Sequence, residues 1–270
     1  MSTCVTAVEH LRKLRGGSQP HLLVGSDGGC YVTKFANNPQ HIRVLANEMF
    51  AGQLAHRLGL PVATLNVIDV PECFIKERPE LCIEVGHGTF PCIAGKQLAS
   101  RYVSNSVKGP LFDYLPDQEL ERVTNLGDFP RVLVLDKWAV NCDGRQVVFT
   151  PDSISNDRYT ATFVDQGFCF NAGEWNFPDA PLRGTYARNC VYSMVAGWDT
   201  FEPTLSRAEG MDLAEIWHCA RRIPEEWYEH DLDGLQRITE ALYRRRKRIR
   251  DLITDFRRSK RNPFPNWTQG

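Results

Sequence analysis

A predominantly apolar segment, residues 130–140, runs directly into the polar turn Asn141-Cys142-Asp143-Gly144. Its length and composition predict a helix that is buried on most of its sides. A helix of this kind must be covered by other elements, which excludes a small or open fold and requires a substantial core. The chain has 270 residues, 42% of them hydrophobic, so it can supply that core in one large domain or in two packed lobes.

Charge and cysteine content exclude several classes of protein. The formal net charge is -1, so no overall field attracts nucleic acid or an acidic membrane. The N-terminus lacks the apolar core of a signal peptide. No apolar run approaches the length of about 20 residues that is needed to span a bilayer. The nine cysteines lack Cys-x-x-Cys spacing and are expected to be free thiols. Free thiols are typical of a reducing compartment, so we expect a cytoplasmic protein, with no membrane partner. The alternative, a catalytic thiol, would favour Cys142 because it lies within the polar turn.

The first part of the chain favours a small sheet with one helix. A hairpin is predicted over residues 21–35, where two apolar runs flank a Gly-rich turn. A helix over about 39–58 is predicted because Asn38 is a typical N-cap and Gly59 a typical C-terminal residue. Residues 62–70 are rich in β-branched residues and predict a further strand.

Prolines and glycines interrupt the pattern between residues 71 and 116. Only short strands are predicted there, near 81–83 and 91–94. We expect the two lobes to join in this region, with residues 1–95 forming a small β-rich N-lobe and residues 96–270 a mainly helical C-lobe. The fold class expected is therefore α+β with two lobes.

The C-lobe should contain helices and one pair of strands. A helix opens near Asp117, and strands over 147–149 and 161–164 bracket a polar loop. The last helix is predicted over about 235–256 because its apolar residues share one face. Asp233, with a glutamine three residues later, is typical of its N-terminal capping box.

Ten basic residues lie within the last helix and just beyond it, between Arg244 and Arg261. A basic run on a helix usually forms a solvated face that suits the negative C-terminal end of the helix dipole. The number of charges exceeds what the dipole requires, so a nucleic acid or another acidic partner is the alternative.

Two acidic turns follow apolar segments. Asp143 comes after the buried helix, and Asp165 ends the predicted strand 161–164, in the sequence Asp165-Gln166-Gly167. Phosphoryl transfer requires this layout, in which one carboxylate orients a nucleophile and another holds a metal. Asp before Gly is also a common turn former, but turn formation does not explain two such turns at the ends of neighbouring apolar segments. We therefore predict Asp143 as the catalytic carboxylate and Asp165 as a metal ligand.

The residues around Asp143 have complementary chemistry. Asn141 and Gln146 carry carbonyl oxygens suited to Mg²⁺ or to positioning Asp143. Arg145 would neutralise charge on a transferred phosphoryl group or fix the loop. These residues complete the predicted catalytic and metal sites.

The nucleotide half of such a site is predicted near the N-terminus. Lys34 ends the predicted hairpin and Glu48 lies in the middle of the following helix, which is the order of the ion pair that holds the α and β phosphates in kinases. The alternative is an ordinary surface lysine and an ordinary helix carboxylate.

A Gly-rich segment, Gly16-Gly17-Ser18-Gln19, precedes the hairpin. Consecutive glycines allow backbone amides to converge on an anion, and the side chains of Ser18 and Gln19 add hydrogen-bond donors. This segment is predicted to bind phosphate; a flexible leader to the hairpin is the alternative.

The ordered set of these motifs resembles the HipA-like kinases, specifically their short bacterial branch. The resemblance rests on Arg15-Gly16-Gly17-Ser18-Gln19-Pro20, Tyr31-Val32-Thr33-Lys34-Phe35, Asn47-Glu48, Asp136-x-Trp138-x-x-Asn141-x-Asp143-Gly144-Arg145-Gln146 and Val164-Asp165-Gln166-Gly167. It implies a two-lobed kinase fold, distantly related to protein kinases and phosphoinositide kinases, that binds ATP and Mg²⁺. It also implies that the Gly-rich loop grips phosphates and that Ser18 is a candidate for self-phosphorylation.

The chain departs from the HipA pattern at two places. HipA has a metal-binding Asn five residues after the catalytic Asp, where this chain has Val148, so Gln146 would replace it or a single metal would be used. HipA has an N-terminal subdomain that contributes to antitoxin binding, whereas about fifteen residues precede the Gly-rich segment here, so no antitoxin partner is expected. The expected activity is transfer of phosphoryl to a hydroxyl of an unidentified protein substrate. The alternatives are a nucleotide-binding pseudokinase and an AMP transferase on the same fold.

Overall fold

A closed barrel forms the first part of the protein. The computed structural model describes residues 5–104, 109–152 and 157–268. The elements in this part are β1 (Val5–Lys13), β2 (His21–Gly25), β3 (Cys30–Lys34), α1 (Val44–Leu58), β4 (Leu65–Val70), α2 (Glu72–Lys76), β5 (Cys82–Val85), β6 (Gly88–Pro91) and β7 (Gly95–Arg101). The barrel has the strand order β1-β2-β3-β7-β4, and β5 pairs with β6 as a separate hairpin. The predicted hairpin over 21–35 is confirmed as β2 and β3.

Two strands of the barrel are missing from the sequence-based prediction. The pairing of β1 with β2 is irregular between Ala7 and Glu9 and between His10 and Arg12, which breaks the alternation of apolar and polar residues. The strand β7 pairs with both β3 and β4 and extends the barrel beyond residue 95. We propose that the N-lobe ends after β7.

Helix α1 begins later than predicted. The Asn38 side chain donates to Phe35 O and accepts from the Gln40 N–H, so it stabilises a separate turn and not the helix start. The helix end is confirmed, because Gly59 has a φ of 76° and its N–H bonds to the last carbonyls of α1. Most of α1 is buried, including Asn47 and Glu48. The predicted strand over 62–70 begins only at Leu65.

The remaining elements are mainly helical, as expected. They are α3 (Asp117–Leu120), α4 (Asp128–Trp138), β8 (Gln146–Pro151), β9 (Tyr159–Val164), α5 (Thr204–Gly210), α6 (Leu213–Ala220), α7 (Leu232–Arg245) and α8 (Ile249–Arg257). The predicted buried helix is confirmed as α4, although it ends at Trp138 and Val140 already has a left-handed φ of 51°. The Trp138 indole N–H donates to Leu242 O at 2.9 Å and ties α4 to α7. One large apolar cluster runs from α1 through α4 to α7 and α8.

The prediction of one continuous last helix is wrong. A 3-10 turn at Arg246–Arg248 separates α7 from α8, where the basic run contributes no apolar side chain to the core. The predicted cap is also displaced, because Asp231 and not Asp233 accepts the N–H of Gly234.

Many of the basic residues in this region make intramolecular contacts. Arg245 and Arg248 bind Asp179, Arg250 binds Glu209, and Arg261 binds the Thr185 hydroxyl. The basic run is therefore largely occupied within the protein.

The cysteines are free thiols throughout the part of the chain that the structure describes, and Cys4 lies outside it. Burial raises the pKa of the Cys142 thiol, whose S–H donates to Phe168 O, so this residue lacks the thiolate character of a nucleophile. No helix within residues 5–104, 109–152 and 157–268 combines the length and the apolar character that crossing a bilayer requires.

Candidate active site

A cleft of about 400 Å³ lies between the barrel and the β8–β9 hairpin. Its apolar wall comes from both lobes and from the segment after β7: Val32, Ala63, Leu98, Val103, Leu111 and Val148. Its polar wall contains Gly16, Ser18, Lys34, Glu48, Gln146 and Asp165. A pocket of this size, with an apolar side and a few convergent polar groups, is typical of a small-molecule or nucleotide site.

Lys34 lies between two carboxylates on the wall of this cleft. Its ammonium donates to Glu48 Oε2 at 2.5 Å and to Asp165 Oδ1 at 2.8 Å. Strand β3 supplies Lys34, helix α1 supplies Glu48, and the turn after β9 supplies Asp165. The fold therefore joins three residues that are separated by up to 131 positions in the chain.

The charges in this cluster support one another. Burial alone would lower the pKa of Lys34, but the carboxylates of Glu48 and Asp165 outweigh it and hold that pKa above its ordinary value. Burial would raise the pKa of Asp165, but Lys34 and the Gly167 N–H hold it below its ordinary value. Lys34 is therefore a stable cation and Asp165 a stable anion at neutral pH.

Helix α1 also fixes the backbone that carries Asp165. The Asn47 side-chain amide donates to the carbonyls of Gly167, Cys169 and Ala172 at 3.1, 2.9 and 2.8 Å. Its oxygen accepts from the Trp175 indole N–H at 2.7 Å. Asp165 itself has a left-handed φ of 59°, and these bonds stabilise the turn around it.

Asp143 is exposed beside the cleft. Its Oδ1 accepts the Gly144 N–H at 2.7 Å, and its Oδ2 lies 3.5 Å from Gln146 Nε2. Gln146 lines the cleft, so Asp143 lies next to a residue of the cleft wall. An exposed carboxylate in this position is free to accept a proton from a substrate hydroxyl.

Asn141 and Arg145 lie below the turn and not on the cleft wall. Asn141 Oδ1 accepts the Asp143 N–H at 3.1 Å, and its amide donates to Asp136 at 3.0 Å. The fully buried Arg145 side chain forms a bidentate ion pair with Asp136 and donates to Val164 O at 3.0 Å. These bonds favour the second of the two roles considered for Arg145, that of fixing the loop. They connect the Asp143 turn to β9, which ends at Val164 next to Asp165.

The Gly-rich segment reaches the cleft through only two of its four predicted residues. Gly16 and Ser18 line the cleft, and Gly16 has a φ of 138° that favours glycine. Ser18 is only 4% exposed. The Gln19 side chain lies elsewhere, because it donates to Glu84 O and accepts the Glu84 N–H. Gly17 is packed beside the Gln40 side chain, which a Cβ would approach to 2.8 Å.

Several residues of the cleft were given no role in the sequence-based prediction. Arg12 and Arg15 lie near the Gly-rich segment, and the stretch from Ser100 to Val103 and Asp113 line the cleft from the other side. Arg12 belongs to β1, whose irregular pairing hides its strand pattern. The segment after β7 carries no motif, and only the fold brings it to the cleft.

This barrel, the helical lobe and the Lys34–Glu48–Asp165 cluster together define a protein of two-lobed, kinase-like α+β fold. The chain belongs to the HipA-like kinase family, whose family model matches residues 7–149. Comparison with curated protein sequences gave no significant match.

Solved structures of kinases share the fold. The proinflammatory kinase CtkA of Helicobacter pylori superimposes with a TM-score of 0.58 and 14% identity over 94% of this chain and 98% of that one. The Golgi casein kinase with Mn and ADP bound superimposes with a TM-score of 0.52 and 11% identity over 95% of this chain and 73% of that one. At these identities the likeness establishes the fold, and family membership supports a kinase function.

Proposed function

We propose that the protein is an ATP- and Mg²⁺-dependent cytoplasmic kinase that transfers the γ-phosphoryl group to a hydroxyl, on Ser or Thr of a protein or on itself. The observation that carries the proposal is Lys34 held between Glu48 and Asp165 on the wall of a cleft of nucleotide size. A cation held in this way is suited to the α and β phosphates of ATP.

The oxygen donors of the cleft fit a magnesium ion. Mg²⁺ is usually held by one or two carboxylates together with substrate phosphates, which matches the ionised Asp165 with the Gln146 amide nearby. These two residues would hold the ion, whereas the oxygen of Asn141 is already bonded to the Asp143 N–H. Bound Mg²⁺ would neutralise charge on the phosphate oxygens.

The residues of the chain would divide the reaction between them. The acceptor hydroxyl oxygen forms a bond to the γ-phosphorus while the bond from that phosphorus to the β–γ bridging oxygen breaks, and ADP leaves. Asp143 orients the acceptor and takes its proton. Lys34 holds the α and β phosphates, and Gly16 and Ser18 line the end of the cleft that takes the phosphates.

The test is phosphoryl transfer from ATP carrying a label on either the α or the γ phosphate, with Mg²⁺ present. Wild-type protein should transfer the γ label to itself or to added dephosphorylated casein. The Asp143→Asn variant should lose at least a hundredfold in rate, because the proton acceptor is removed. Its thermal unfolding should match wild type, since Asp143 is exposed. No γ-label transfer or ATP hydrolysis by wild type, or equal rates in the two proteins, would refute the proposal.

A second candidate is a nucleotide-binding protein without turnover. Val148 lines the cleft at the position where the HipA resemblance implies a metal-binding Asn, and this observation favours it. ATP would then raise the unfolding temperature with no transfer of either label. Transfer of the α label instead of the γ label would identify an AMP transferase.

A further inference from the structure

The segment that follows the Asp165 turn lies directly against the Asp143 turn. The Gly184 N–H donates to Asp143 O at 3.1 Å, and the Arg145 N–H donates to Thr185 O at 3.1 Å. Gly184 has a φ of 63°, and a Cβ there would lie 2.7 Å from Asn141 O. Residues 171–188, called segment 171–188 below, therefore form a wall beside the carboxylate proposed to receive the acceptor.

Two basic side chains from the helical lobe hold this wall from behind. The buried Lys137 ammonium donates to Pro181 O at 2.8 Å and to Arg183 O at 2.5 Å. The Arg261 guanidinium donates to the Thr185 hydroxyl and to the carbonyls of Tyr186 and Ala187, each at 2.6 Å. The bonds from the Arg261 guanidinium are charge-assisted and therefore stronger than neutral ones. Burial lowers the pKa of Lys137 to about 7, so its two bonds add less charge but still hold the backbone at 181 and 183.

Asp179 adds a fixed negative charge to the same segment. Its Oδ1 accepts from Arg245 at 2.9 Å and its Oδ2 accepts from Arg248 at 2.8 Å. Arg245 is buried and also donates to Phe177 O at 3.2 Å. Burial would raise the pKa of Asp179, but Arg248 and Arg245 hold it below its ordinary value, so the carboxylate is ionised at neutral pH.

In many protein kinases the corresponding segment becomes ordered only when it is phosphorylated, through new pairs between the phosphate and arginines. Segment 171–188 has only two hydroxyl side chains, Thr185 and Tyr186. Both residues are buried, and both hydroxyls are hydrogen-bonded. A kinase acting on this segment would find no accessible acceptor, while the arginine pair already has its anion.

We propose that Asp179, bound by Arg245 and Arg248, does permanently what a phosphate does in regulated kinases, so that segment 171–188 is held ready for the acceptor without phosphorylation. The proposal rests on the proposed kinase function. Asp179, Arg245, Arg248, Lys137 and Arg261 are then positioning residues, which act through the wall beside Asp143 and not on the nucleotide. The basic run of the last helices accordingly stabilises segment 171–188 within the protein.

The test compares Asp179→Asn, Asp179→Glu and Lys247→Ala with wild type. Lys247 is an exposed neighbour of Arg248 on the same turn and serves as the matched control. The measurements are the KM for dephosphorylated casein, the KM for ATP, and hydrogen–deuterium exchange of residues 177–187. Wild-type protein is also assayed after treatment with a protein phosphatase, which is removed before ATP is added.

Asp179→Asn should raise the KM for casein about tenfold, leave the KM for ATP within twofold, and speed exchange of residues 177–187 by at least tenfold. Asp179→Glu should restore most of both properties, since a carboxylate can again meet the two arginines. Lys247→Ala and phosphatase-treated wild type should behave as untreated wild type. Loss of activity after phosphatase treatment, or unchanged exchange in Asp179→Asn, would overturn the proposal. The exchange measurement remains decisive if wild type transfers no phosphoryl group, so failure of the kinase proposal is distinguishable from failure of this one.

Discussion

Replacing Lys34 by Met should destabilise the protein in a pH-dependent way. The side chains of Lys34 and Glu48 are only 8% and 4% exposed, so the variant leaves the Glu48 carboxylate buried without its cation. Breaking a buried pair by removing one partner typically costs about 3–5 kcal/mol. Asp165 is 20% exposed on the cleft side and should contribute less, because solvent can reach it.

The magnitude follows from the protonation of Glu48. Burial raises the pKa of this carboxyl, and in the variant the folded protein can relieve the unpaired charge by binding a proton. Protonation costs 1.36 kcal/mol for each unit by which the pH exceeds the ordinary value of 4.5. The expected loss is therefore about 3 kcal/mol at pH 7 and about 1 kcal/mol at pH 5. In the variant the pKa of Glu48 is higher in the folded than in the unfolded protein. Its bound proton therefore stabilises the folded state at low pH, and this stabilisation is lost as the pH rises.

Urea unfolding followed by tryptophan fluorescence, at pH 5 and pH 7, measures this difference. Adding Glu48→Gln to Lys34→Met should recover most of the loss at pH 7, because the buried charge is removed. Lys96→Met is the matched control on the neighbouring strand: Lys96 is exposed and pairs with exposed Glu226, so its loss should be below about 1 kcal/mol at either pH. An equal loss at both pH values, with no recovery in the double variant, would refute this account of the cluster.

Three further changes have definite expected outcomes. Gly184→Ala should destabilise the protein by about 2 kcal/mol and lower phosphoryl transfer at least tenfold, because its Cβ would displace Asn141 O below the Asp143 turn. Parallel unfolding and activity assays measure the two effects. His21→Gln should reduce the loss of stability between pH 7 and pH 5 by about 2 kcal/mol. Burial, with smaller effects from His10 and Lys13, lowers the pKa of His21 to about 4, so in this pH range only the unfolded chain takes up a proton at His21. Urea titrations at both pH values measure the difference. Asp212→Ala should cost about 1 kcal/mol in unfolding free energy, because it removes the capping box of α6.

Each of these changes has a control within the chain. Gly210→Ala introduces a Cβ with no neighbour within 4 Å, so it should leave activity unchanged. His87→Gln changes an exposed histidine and should leave the pH dependence as in wild type. Asp233→Ala changes an acidic residue inside α7 that is not its cap, and it should cost less than Asp212→Ala. Equal effects of a variant and its control would contradict the explanation given for that site.

Local sequence signals located some elements of the fold well and others poorly. The Gly-rich turn of the β2–β3 hairpin and Gly59 at the end of α1 were predictable, because a turn or a helix end depends on the conformations of a few adjacent residues. The start of α1 was not, because the Asn38 side chain bonds within its own turn and not to the helix. The break after Arg245 was not, because Arg245 and Arg246 bond to segments far away in the chain. The strand β1 escaped prediction for a related reason: its bulges are stabilised by pairing with β2.

The sequence by itself determined which chemical groups the candidate site contains and their order: Lys34, Glu48, Asp143 and Asp165 in segments expected to converge. Tertiary structure decided what each polar group contacts. It placed Gln19 on Glu84, Arg145 on Asp136, and the basic run on segment 171–188. The physical reason is that a polar side chain removed from water, in part or in full, needs a partner, and that partner is supplied by whichever distant segment the fold packs against it.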